Sequence, residues 1–215
     1  MNFKNKTVLC VISHPDDETI GCGGFIHRLS ENGIKVNVLL SLKSNGPRSL
    51  KNWDAYLNSF KKACKILGAN PIIYENMFSE DLAEQNFWKL NSIVDEYIKE
   101  SDVILTHCPL DVHQTHRIVS RSVEISTRPI RTHKTVIFFE VPSSTDQGYI
   151  NNFQPNFYVT LEENNVKSKL NAMKCYKNEF DYGRCPEDLL LILKVRGRQI
   201  GKKYAECFKI ARNYF

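Results

Sequence analysis

"TVLCVISHPDDETIGCGG", Thr7 to Gly24, decides the fold. Its opening, "TVLCVIS", is a short unbroken run of β-favouring apolar residues. It lacks the in–out alternation of a strand with one wet face, so it fits a strand buried on both sides. His14, three carboxylates (Asp16, Asp17 and Glu18) and a glycine pair follow at once. Then "GGFIHRLSENG" sets Phe25, Ile26 and Leu29 on one helical face, with Gly33 as a natural stop. A doubly buried strand feeding directly into a helix begins a β–α–β unit, and the polar residues sit at the strand's carboxyl end.

The same alternation continues outward. The spacing predicts strands at "KVNVLLSL", "PIIYE", "SDVILTH" and "TVIFFEV", with a sixth at "NFYVTL". It predicts helices over Trp53–Leu67, "FWKLNSIVDEYIKE", "HRIVSRSVEIS", Lys167–Phe180 and Asp188–Arg212. Parallel neighbours need crossovers, and helices supply them. The expected fold class is therefore α/β: Rossmann-like, with a mainly parallel sheet flanked by helices, in a single domain over residues 1–215.

At 42% hydrophobic and 25% charged residues, the chain has the balance of a globular protein with a sizeable core. Its net charge of +5 is spread without a long basic block and no nucleic-acid-binding module appears, so nucleic acid is not an expected partner. No stretch resembles a signal peptide or an apolar bilayer span, which points to a cytoplasmic chain. Seven scattered cysteines without a Cys-x-x-Cys pair suit reduced thiols in such a compartment. The sequence leaves room for a homo-oligomer.

Ligands of such sheets gather outside the carboxyl ends of the strands. Three polar stretches are placed there: His14 to Glu18, His107 to His116, and Glu140 to Asp146. His14 and a carboxylate three residues on can reach one cation together. "LDVHQTH" adds His113 and His116 at the start of a helix. Two imidazoles and one carboxylate with an open fourth position make a catalytic zinc site, and manganese or cobalt could substitute. A spare carboxylate would then move protons, and a spare histidine would steady an oxyanion. Glu18 is expected to shape the loop or cap the helix. His27 and His133 stand alone and read as surface residues; His107 ends the fourth strand.

"SHPDDETIGCGG" resembles the first motif of the PIG-L/LmbE-like deacetylases, and "DVHQTHRIV" resembles their second. "EVPSSTD", "QPNFYV" and "RGRQIGKKYAECF" are similar to stretches of bacterial members linked to sugar biosynthesis. The resemblance implies zinc-dependent removal of an N-acyl group from an amino-sugar derivative, such as an N-acetylglucosamine conjugate or a sugar nucleotide. It implies His14, Asp17 and His116 as zinc ligands, Asp16 as general base and then acid, and His113 as oxyanion stabiliser. Spacing alone does not choose Asp17 over Asp16 as the ligand. The alternatives are an amidase on a thiol-sugar conjugate and a catalytically silent sugar- or nucleotide-binding protein.

Two departures from the family pattern stand out. Thr115 occupies the position before the second zinc histidine, where members usually carry Asp. His113 is therefore expected to have a lowered pKa or to lean on another acid, for which Asp111 is the candidate. The helix after the second strand also lacks the usual Arg and Glu between Tyr56 and Phe60. Substrate contacts are expected from Arg48, Ser143, Ser144, Arg196, Tyr204 and Glu206.

Overall fold

The structure is a computed structural model that describes residues 2–46, 52–149 and 153–214. Seven strands form one sheet: β1 (Thr7–Ile12), β2 (Lys35–Leu40), β3 (Asn70–Ile73), β4 (Val103–His107), β5 (Thr135–Phe139), β6 (Phe157–Thr160) and β7 (Ala205–Arg212). Six helices accompany them among the described residues: α1 (Asp17–Glu31), α2 (Trp53–Leu67), α3 (Phe87–Lys99), α4 (Gln114–Ser126), α5 (Glu163–Met173) and α6 (Pro186–Gln199). The strand order is β3-β2-β1-β4-β5-β7-β6. The first five strands are parallel, and β7 runs antiparallel to both of its neighbours.

β1 shows why its sequence does not alternate. Val8, Cys10 and Ile12 point into one apolar cluster, beneath α1, α2, α5 and α6. Leu9 and Val11 point into the other, beneath α3 and α4. All five are fully buried, so both faces of the strand must be apolar. Each of the four aliphatic side chains among them contributes about 1.5–3 kcal/mol of transfer free energy. The chain leaves β1 for β2 and β3 on one side and returns to β4 and β5 on the other. The switch point therefore lies between β1 and β4, where the loops after those strands diverge.

The C-terminal segment corrects the sequence-based expectation. The helix predicted over Asp188–Arg212 ends at Gln199, and residues 205–212 form β7. Gly201, at φ 66°, turns the chain between them. The helix predicted over Lys167–Phe180 begins earlier, at Glu163, and ends at Met173; a 3₁₀ turn, Lys177–Tyr182, follows. No helix among the described residues is long and apolar enough to cross a membrane.

Helix α1 is broken at Cys22, whose φ of −145° is not helical. In an unbroken helix the Gly24 amide would donate to the Ile20 carbonyl. Here the amides of Gly24 and Phe25 donate to the two carboxylate oxygens of Glu206, at 2.9 and 2.7 Å. Lys169 Nζ donates to the Ile20 carbonyl and to Glu206, each at 2.6 Å. A buried ion pair thus fills the gap in the helix ladder. Gly21 lets this segment lie directly on β5, since a Cβ there would run into the Phe139 ring.

Candidate metal centre

β1 and α1 are joined by a tight turn with no slack. Asp16 sits just before the helix at φ 107° and ψ −28°, a backbone conformation costly for any residue with a Cβ. That turn aims Asp16 and Asp17 in different directions. Asp17 Oδ2 accepts the His14 amide at 2.8 Å, which ties the turn to its own carboxylate. β4 delivers His107, and the start of α4 delivers His113 and His116. The rings of His107 and His116 stack at 4.0 Å, and those of His113 and His116 at 4.6 Å.

His14, Asp17 and His116 each offer one donor atom, and the three atoms lie within 4.8 Å of one another. A tetrahedral site with bonds of about 2.1 Å needs donors about 3.4 Å apart. His14 Nδ1 is 3.6 Å from Asp17 Oδ2, and His116 Nε2 is 3.4 Å from Asp17 Oδ1. The remaining ring nitrogens are held by carboxylates. Glu80 Oε2 lies 2.8 Å from His14 Nε2, and Asp111 Oδ2 lies 3.1 Å from His116 Nδ1. These pairings place ring protons on His14 Nε2 and His116 Nδ1 and turn the other lone pairs inward, as a metal requires. The donor set fits a divalent transition ion.

The electrostatics agree. Burial alone would lower the pKa of His14, but Asp17 and Glu80 overcome it and raise the value to about 10. The same holds in direction for His116, raised by Asp17 and Asp111 against burial. For Asp17, the imidazoles of His116 and His107 outweigh burial and hold the carboxyl well below its usual range. A site that attracts a proton so strongly attracts a cation in its place.

Asp16 differs from its neighbour. Burial pushes its pKa well above the carboxylate range, the charge of Asp17 adds to the rise, and Arg184 offsets it only in part. Arg184 Nη1 lies 3.3 Å from Asp16 Oδ2, and Arg184 Nε donates to Ser143 Oγ at 2.8 Å. Asp16 Oδ1 is buried with no hydrogen-bond partner. Glu18 shapes the turn: it accepts from Thr19, from the Tyr176 hydroxyl at 2.9 Å and from the Asp16 amide at 3.2 Å. Burial raises its pKa to about 7.

His113 is lowered to about 4 by burial and by His116 and His14. Its Nδ1 lies 2.9 Å from Thr115 Oγ1, which is also 3.3 Å from His14 Nε2. Asp111 accepts only the backbone amide of His113; its carboxylate is committed to His116, Ser144 and Thr145. His107 Nε2 accepts the Ser13 amide at 3.0 Å, and burial lowers this imidazole to about 4.

A cavity of about 170 Å³ opens onto this centre, lined by His14, Asp16, Ser44, Gly46, Tyr56, Glu80, His113, His116, Glu179 and Arg184. Ser143 reaches it through Arg184, whereas Ser144 is buried against Asp111. Arg196, Tyr204 and Glu206 are not among its lining residues. Arg196 clasps Glu140, Tyr204 is buried, and Glu206 fills the break in α1. Arg48 lies outside the described residues. Glu80, Tyr56, Glu179 and Arg184 were not found from the sequence. Tyr56 belongs to the apolar spacing of α2, the other three fall in no polar cluster of the sheet edge, and only the tertiary fold brings all four here.

A family model described as PIG-L, GlcNAc-PI de-N-acetylase, matches residues 9–125. The Escherichia coli K12 protein YaiS, described as an uncharacterized deacetylase, is 28% identical over 183 residues, spanning 81% of this chain and 92% of its own. The diacetylchitobiose deacetylase of Thermococcus kodakarensis is 26% identical over 235 residues, spanning 98% of this chain and 85% of its own. Among solved structures, the 4-carboxy-2-hydroxymuconate hydratase GalB of Pseudomonas putida superposes with a TM-score of 0.73 at 18% identity, covering 98% of both chains. That last likeness shows the fold alone.

Proposed function

The chain belongs to the PIG-L family of de-N-acetylases, and on that footing we propose that it is a metal-dependent hydrolase removing an N-acetyl group from an amino-sugar derivative. The reaction fits glycan or sugar-nucleotide biosynthesis. The observation that carries the reading is Asp16: a buried carboxyl with raised proton affinity and one unpartnered oxygen, lining the same cavity as the donor set His14, Asp17 and His116.

In this reading His14, Asp17 and His116 hold the ion, with zinc favoured by two imidazoles and one carboxylate. When bound, the ion supplies Lewis acidity and an acidified water. Asp16 takes a proton as the amide is attacked and returns it to the departing amine, and its raised pKa suits both directions. His113 steadies the oxyanion. With Thr115 donating to Nδ1, the neutral ring keeps its proton on Nε2 and can donate without being charged. Arg184 holds Asp16 in place from the cavity wall.

The test is acetate release from N-acetylglucosamine, N,N'-diacetylchitobiose and N-acetylated sugar nucleotides, before and after chelation and with zinc restored. Release that disappears with chelator and returns with zinc supports the reading. Asp16→Asn is expected to bind zinc normally and lose about 10²–10⁴-fold in kcat. Full turnover in the Asn variant, or release indifferent to chelator, overturns it.

A further inference from the structure

Glu80 lies on the 3₁₀ turn Glu80–Leu82, far in sequence from the donor residues, yet both of its oxygens are engaged at the centre. Oε2 accepts from His14 Nε2 at 2.8 Å, and Oε1 accepts the Ser44 hydroxyl at 3.0 Å and the Asn45 amide at 2.8 Å. Ser44 and Gly46 line the cavity, so one carboxylate joins a candidate ligand to the cavity wall. Backbone bonds hold the two segments together on the same side: Lys43 N donates to the Phe78 carbonyl at 2.7 Å, and Glu80 N donates to the Lys43 carbonyl at 2.9 Å.

We infer that Glu80 is a positioning residue that couples the order of the 44–46 wall to metal affinity at His14. The inference rests on the metal-dependent reading above, but its test does not need turnover. Three donors converge on Glu80: an imidazole N–H, a hydroxyl and a backbone amide. A carboxylate can accept all three on its two oxygens. An amide of the same shape offers one oxygen, and its NH₂ faces a donor whichever way it turns. Glu80→Gln therefore keeps the volume and breaks the clamp on one side. Freed on the His14 side, the ring loses the partner that fixes its proton on Nε2; freed on the other, the wall residues lose their anchor. By linkage, whatever orders the wall also favours the metal.

The measurement is the zinc dissociation constant of the full chain, by competition with a chromophoric chelator, for wild type, Glu80→Gln and Ser44→Ala. Melting curves of chelator-stripped proteins check that each variant folds. Glu80→Gln is expected to weaken zinc by about 10–100-fold. Ser44→Ala, which removes one donor to Glu80 without touching a candidate ligand, is expected to weaken it by a smaller but measurable factor. Wild-type affinity in a folded Glu80→Gln protein overturns the inference; should that variant not fold, wild-type affinity in Ser44→Ala does so. A wild-type chain that binds no zinc defeats the metal-dependent reading itself, so the two failures are distinguishable.

Discussion

Thr115 shows how much a single hydroxyl decides. A carboxylate at this position can only accept, whereas Thr115 Oγ1 can accept from His14 Nε2 and donate to His113 Nδ1. In the proposed reaction the donor role would fix the tautomer that leaves His113 Nε2–H free to face an oxyanion. Thr115→Val keeps the shape and removes the hydroxyl, so kcat is expected to fall about 10-fold or more while zinc content holds; Thr115→Ser is expected to restore most of it. Equal kcat in wild type and Thr115→Val would mean that the tautomer is set elsewhere. At this scale the sequence was informative where residues cluster. His14, Asp16, Asp17, His113 and His116 were legible because two polar motifs fall after buried strands. The lowered pKa expected of His113 is found, though burial leads its causes and Asp111 gives no ring contact. Glu80 and Arg184 had no such marker: an acidic pair on a 3₁₀ turn and a single arginine before a helix look like solvated loop residues.

The break in α1 is an element-scale device with a measurable cost if undone. Glu206 and Lys169 are each 3% exposed, and between them they satisfy two amides and a carbonyl that the kink at Cys22 releases. Glu206→Gln leaves the Lys169 ammonium buried without a counter-charge, a defect that costs about 3–5 kcal/mol. A lower urea midpoint with an unchanged KM for sugar substrate is the expected result; wild-type stability with a raised KM would return Glu206 to the substrate. The sequence conceals this arrangement, because Glu206 falls in the stretch whose spacing extends a helix that stops at Gln199. "AECFKIAR" carries an interior acid and two alanines, which fit a helix as well as a strand. The strand wins because Ala205 to Phe208 are buried between β5 and β6, and Gly201 supplies the left-handed turn that admits it. α2, by contrast, spans Trp53–Leu67 as its apolar spacing indicates, with Asn52 capping the Ala55 amide and Gly68 closing the helix.

At the scale of the molecule, the donor residues come from the turn after β1 and from the start of α4, on opposite sides of the switch point. An ion held there would tie the two loops together and favour the folded chain, which alone brings these donors into one place. Zinc at 100 times its dissociation constant is expected to add about 2.7 kcal/mol. In a differential scan that is about 5–11 °C in Tm for a chain of this size, removed by chelator. No shift at saturating zinc would argue against a preformed site. The parallel half of the sheet was legible because strand and helix alternate there. The antiparallel insertion was not, because the order β5-β7-β6 depends on contacts distant in sequence. That order also imposes a schedule on synthesis. β6 is made well before β7, yet β7 is the strand that joins it to the sheet. At about 5–20 residues per second, the unpaired backbone edge of β5 stays uncovered on the nascent chain for seconds. A chain stopped after Gln199 never ends that interval, and it is expected in the insoluble fraction on expression; a soluble, monomeric product would show that the edge needs no cover. β7, made after the other six strands of this sheet, is therefore the one that completes it, and until it pairs β5 and β6 have no common neighbour.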